Sequence, residues 1–189
     1  MKKIIIGTIV TALILFIVQA LNWTALPIHN NAIKYSPEQD KILKVLEETL
    51  EDGYYFLPFY DIEKTSSEEQ SRLNAEMKGK SWATISYHKS YDQNMTVTMA
   101  AGFLIHLMAA FIVVIILAMV SDKIPSFGGR WLFVISLAAL IILQGPMVNW
   151  NWWETPDHFL KSVVFDQITT WGIAGLWIAW YFRVKPENT

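Results

Sequence analysis

The chain has no cysteine, so no disulfide braces it and chemistry that works through paired thiols is excluded. It also lacks a surplus of basic charge. The formal net charge is −2, and the lysines and arginines form no stripe that could track phosphates, which makes nucleic acid the poorest fit as a partner. Established catalytic signatures are missing too: there is no Gly-x-Ser-x-Gly elbow, no phosphate-cradling glycine loop and no His-Glu-x-x-His pair, and Gly128-Gly129 reads as a flexible turn. Finally, no Lys or Arg interrupts four apolar runs, at 4–23, 99–120, 131–148 and 163–182.

Each run is long enough to cross a bilayer as a helix, which predicts a polytopic membrane protein. Lys2, Lys3, Lys123, Arg130, Arg183 and Lys185 fall on one side of the predicted spans, opposed there only by Asp122 and Glu187. The bias of basic residues towards short cytoplasmic flanks then places both termini in the cytoplasm and residues 24–98 and 149–162 outside. Val18-Gln19-Ala20 resembles a signal-peptidase site, but the apolar run continues through Trp23 at spanning length, which favours a retained helix. A disulfide-free outward segment fits a bacterial inner membrane better than an animal cell surface.

The outward segment carries globular signals. Ser36-Pro37-Glu38-Gln39 offers a helix cap, a proline for the first turn and a capping-box glutamine; Ile42, Leu43, Leu46 and Leu50 mark one face, predicting a helix over 37–52 that Gly53 stops. The aromatic stretch 54–60 reads as a strand limited by Pro58, and Ser67 with Gln70 opens a second helix that stops near Gly79. Alternation over 82–88 predicts a second strand. Two short strands make a weak independent domain, so this α+β cap is expected to rest on the outer helix ends, with 149–159 as its floor.

One polar side chain lies at similar depth in each run: Gln19, His106, Gln144 and Asp166. Counted from the basic ends, they lie roughly 21–25 Å along helices that rise about 1.5 Å per residue, just under the outer face. An ionisable group at that depth is a functional-site hypothesis. Asp166 is the sharpest, because a buried carboxylate must be paired, hydrogen-bonded or protonated. Thr169 and Thr170 share its helical face, His106 is its expected partner, and Gly145-Pro146 beside Gln144 predicts a bend. Trp152 in the aromatic outer loop is a candidate wall for a ligand, or part of an interfacial aromatic belt.

Other chemistries find less support. Met95 and Met99, one turn apart above His106, could offer thioethers to Cu(I) or sit near a haem, and His29, His88 and His158 lack the local ligand pair that anchors zinc. No cofactor is implied. Gly172, Gly175 and Ala179 give the last helix a small-residue surface for close contact, within one chain or between copies of a homo-oligomer. At Leu21-Asn22-Trp23-Thr24-Ala25-Leu26-Pro27 and again over 156–180 the chain resembles small uncharacterised four-helix bacterial membrane proteins, a likeness of helical layout that implies an inner-membrane location and no role.

The sequence therefore predicts a mainly α membrane protein: a first helix at 1–23, an extracytoplasmic α+β segment at 24–98, and helices two to four at 99–189, together a four-transmembrane-helix bundle. The function expected is that of a binding or accessory protein holding a lipid, a small hydrophobic ligand or a membrane partner at the polar layer, through His106, Asp166, Gln144, Gln19, Thr170 and Trp152. The alternatives are a membrane-embedded enzyme with His106 and Asp166 as an acid–base couple, and a metal- or haem-binding membrane protein.

Overall fold

Backbone in hydrocarbon must satisfy its own polar groups, and uninterrupted apolar runs do so as long helices. The computed structural model describes residues 1–30 and 32–183. Lys185 and Glu187, which enter the charge argument above, lie outside the described residues. In chain order the elements are α1 (Lys2–Ala25), α2 (Gln39–Thr49), β1 (Gly53–Leu57), α3 (Ser67–Met77), β2 (Ala83–Tyr87), α4 (Met95–Val120), α5 (Phe127–Gln144), α6 (Pro146–Trp153) and α7 (Asp157–Tyr181), with 3₁₀ turns at Pro27–His29 and Ser121–Lys123. They form two compact units, Met1–Lys34 with Gln93–Thr189, and Tyr35–Asp92.

Three helical stretches are long and apolar enough to cross a membrane: Lys2–Ala25, Met95–Lys123 and Phe127–Trp153. The last contains the predicted break. Pro146 has no N–H to continue the ladder, so α5 closes with Gly145 N–H donating to the Ile141 carbonyl at 3.0 Å, and Pro146 opens α6. α7 is as long as α1 but more polar, with Asp166, Gln167, Thr169 and Thr170 in one stretch.

α1 packs against α4 on one side and α7 on another, and α7 packs against α5, so the helices run in the order α4, α1, α7, α5. α4 and α5 make few contacts with each other, which departs from a closed bundle. α4 accordingly exposes apolar side chains such as Leu104, Ile105, Met108 and Ile112. Lipid tails solvate such side chains as well as protein does, so no hydrophobic force closes the ring. The core is drawn from all four helices and includes Ala12, Leu15, Val114, Leu117, Val134, Ala174 and Ile178.

The small-residue surface of α7 is used within the chain. A Cβ on Gly175 would stand 3.2 Å from both Trp131 and Val134 of α5, so glycine permits this approach, whereas Gly172 faces open space and uses its carbonyl to accept Trp131 Nε1–H at 3.0 Å. Arg130, an end marker in the sequence, is only 2% exposed. Its Nε–H donates to the Ala179 carbonyl at 2.9 Å, and Nη1 donates to the carbonyls of Ile124 at 2.9 Å and Pro125 at 2.7 Å. The guanidinium thereby clasps the start of α5 to the C-terminal end of α7, where the helix dipole favours a cation.

In the smaller unit, β1 and β2 pair antiparallel from Gly53↔Tyr87 to Leu57↔Ala83. Helix, strand, helix and strand follow one another as predicted, with boundary shifts. α2 begins at Gln39 because Ser36 Oγ accepts the Glu38 N–H in a turn and forms no capping box, and α3 is capped by Ser66 in place of Ser67. Phe56 stacks on Trp82 at a centroid distance of 5.2 Å. Lys89 pairs with Glu51 beside the strand ends, which holds its ammonium above the usual lysine range, and its N–H donates to Asp52 Oδ1 at 2.6 Å.

Arg130→Met would strip the donors from three carbonyls and is expected to lower stability by at least about 4 kcal/mol, since hydrogen bonds from a charged group contribute about 1.5–3 kcal/mol each. Denaturant unfolding in micelles reads this out, with Arg130→Lys falling between the two because one ammonium replaces the fork. An unchanged midpoint for Arg130→Met would show that the clasp is dispensable.

Candidate functional site

The site begins with the way α1 ends. A residue before proline avoids the helical region, and Leu26 accordingly turns extended, at φ −104° and ψ 137°. Pro27 then opens a 3₁₀ turn that carries His29 onto α7. The imidazole Nε2 lies 3.0 Å from Asp166 Oδ1, and the ring stacks on Trp23 with centroids 4.0 Å apart and planes 15° off parallel.

α1 contributes the other partner. Asn22 Nδ2 donates to Asp166 Oδ1 at 3.0 Å and to Thr169 Oγ1 at 2.8 Å. The buried residues Thr8, Thr11, Leu15 and Asn22 recur at intervals of three, four and seven, a single seam on one helix face. On α7, Ser162, Asp166, Thr170, Ala174 and Ile178 recur every four residues, all buried. Thr170 Oγ1 donates to the Asp166 carbonyl at 2.5 Å, and Thr169 Oγ1 donates to the Phe165 carbonyl at 2.9 Å.

Asp166 is therefore buried, 4% exposed, and solvated by side chains of its own protein. Among the described residues the imidazole hydrogen-bonded to it is that of His29, and no lysine or arginine pairs with it. His29 is itself 8% exposed, and its Nδ1 is buried without a partner among the described residues. Asn22, His29, Asp166 and Thr169 thus form one hydrogen-bonded group, with Trp23 over the imidazole.

This changes the expected constellation. His106 does not pair with Asp166: it sits half-buried on α4, edge-on to Phe16 at 6.2 Å, with no hydrogen bond among the described residues. α4 packs on α1 and α7 lies on another side of α1, so α1 stands between them. The proposed His106–Asp166 acid–base couple is not assembled. Gln144 is exposed at the end of α5 and Gln19 is half-buried; neither makes a side-chain hydrogen bond among the described residues. Thr170 lies one turn below Asp166 on the buried face, while Trp152 is 74% exposed on α6. Position along a helix fixes height without azimuth, and height alone does not bring side chains together.

Asn22 and His29 were the residues missed as partners of Asp166. The spacing of the α1 seam could have indicated Asn22. His29 follows a proline turn, in a stretch assigned to the outward segment, and that turn had no helical periodicity to read. Met95 and Met99 are exposed on α4, and among the described residues no three His, Cys, Asp or Glu side chains converge as a metal-ligand group.

Because they share one hydrogen-bonded group, His29→Phe and Asp166→Asn should each cost about 1–3 kcal/mol and be non-additive by about 1 kcal/mol in a double-mutant cycle. His106→Phe should stay within about 1.5 kcal/mol, as a roughly volume-conserving change outside the group. Unfolding midpoints of wild type and the four variants in micelles provide the comparison, and strict additivity of the pair would dissolve the group.

No family model matches the chain, and neither a curated protein nor a solved structure matches it.

Proposed function

We propose that the chain is a multi-pass protein of a bacterial inner membrane that binds a lipid, small ligand or membrane partner at the Asn22–His29–Asp166 group, as a binding or accessory protein. In this reading α7 is a fourth span beside α1, α4 and α5, both termini are cytoplasmic, and Tyr35–Asp92 lies outside. The group then sits beneath the outer membrane face. The basic flanks Lys2, Lys3, Lys123, Arg130 and Arg183 support the orientation.

The observation that carries the reading is a buried carboxylate that, among the described residues, has no basic partner beyond His29. Placing an Asp at mid-helix in a membrane costs about 2.5–3.5 kcal/mol on insertion scales. Interhelical hydrogen bonds return about 0.6 kcal/mol each on average, so the two side-chain bonds to Asp166 leave a deficit. Apolar packing would join α1 to α7 at lower cost. The polar group is better explained by something it binds.

Topology is testable without background, because a chain with no cysteine gains a unique label at each introduced one. Cysteines at Ser90 and Thr155 should react with an impermeant maleimide in intact cells, and one at Ser126 only after lysis; the reverse pattern overturns the orientation. Function is tested by native mass spectrometry of gently extracted protein. A companion molecule retained by wild type and lost from His29→Phe and Asp166→Asn, with helicity unchanged, is the expected result. Equal recovery from all three rejects the site.

A further inference from the structure

The donors of the group are all engaged. Both Asn22 Nδ2 hydrogens go to Asp166 Oδ1 and Thr169 Oγ1, the Thr169 and Thr170 hydroxyls donate to backbone carbonyls, and His29 donates from Nε2 to Asp166. What remains are acceptors. In the tautomer that donates from Nε2, His29 Nδ1 is a bare lone pair, buried and without a partner among the described residues. Asp166 Oδ2 likewise has no hydrogen-bond partner among the described residues, and the carboxylate has no lysine or arginine beside it. The group is acceptor-rich, with an anionic member.

Resting on the ligand-site reading above, we infer that the bound group is a primary ammonium. One of its three N–H donors complements Nδ1, and its positive charge is attracted across the imidazole ring by the carboxylate on the Nε2 side. Other head groups fail on one count each. A quaternary ammonium has the charge without an N–H, a hydroxyl has a donor without the charge, and a phosphate or carboxylate brings acceptors and is repelled by Asp166. Trp23, 44% exposed and stacked on the imidazole, covers one ring face, so the ammonium meets Nδ1 in the ring plane. The ammonium can belong to an aminophospholipid or to a free amine from outside.

The test uses the full-length protein in phosphatidylcholine nanodiscs that contain equal minor fractions of phosphatidylethanolamine and phosphatidylglycerol, released for native mass spectrometry. Expected is retention of phosphatidylethanolamine over both others by about tenfold or more, the worth of one charge-assisted hydrogen bond. His29→Phe, which keeps an aromatic ring against Trp23, should abolish the preference, as should Asp166→Asn. In a second arm, ethanolamine is titrated into discs of phosphatidylcholine alone; a rise in unfolding temperature seen in wild type but not in His29→Phe, with no lipid selected, assigns the ammonium to a soluble amine. Equal retention of phosphatidylcholine, or a preference for phosphatidylglycerol, without an ethanolamine response overturns the inference. A different companion lost from the same variants also overturns it and leaves the ligand-site reading standing. If the variants lose nothing, both fail.

Discussion

A carboxylate placed where water is scarce must find its solvation within the protein, and Asp166 imposes that requirement on everything near it. It needs donors from outside its own helix. Asn22 comes from the last turns of α1, and His29 comes only because a proline ends α1 and folds the chain back. The pairing of α1 with α7, the position of Pro27 and the stacking of Trp23 on His29 are therefore one arrangement. Change the carboxylate and none of the three has the same reason to exist.

The opposite ends of these helices solve the complementary problem. Arg130 is buried as deeply as Asp166 but meets no anion among the described residues; backbone carbonyls at the end of α7 and before α5 accept its hydrogen bonds. Lys3 sits over the rings of Tyr181 and Phe182, and Arg183 over Trp180, so cations at this end are met by carbonyls and aromatic faces. Aromatic contacts of this kind suit a long basic side chain at an interface, whose stem stays apolar while its charge stays wet.

Much of the helical layout was legible because it depends on composition alone. An apolar run of spanning length becomes a helix in hydrocarbon whatever its neighbours, and Gly145-Pro146 breaks one for reasons local to two residues. Asp166 could be picked out for the same reason, since a carboxylate in an apolar run is costly in any fold. Its partners could not, because partnership depends on helix rotation and neighbour order. His106 lies near the right height on a helix that α1 separates from α7, while His29 lies beyond the helix altogether. Arg130 shows the same limit in reverse: at the edge of an apolar run it reads only as a basic end marker, and only the approach of α7 to α5 reveals it as a clasp.

That clasp makes α7 a lever. Its fulcrum is at Ala179, where Arg130 grips the backbone, and Asp166 lies 13 positions up the helix, about 20 Å away at a rise of about 1.5 Å per residue. A tilt of about 5° about the fulcrum would carry the carboxylate by about 2 Å, enough to break hydrogen bonds of 3.0 Å to Asn22 and His29. The same tilt would barely move Gly175 against Trp131 and Val134 near the fulcrum. Motion in α7 would thus be felt first at the polar group and last at the α5 seam, so the two ends of one helix would differ in compliance although both are buried.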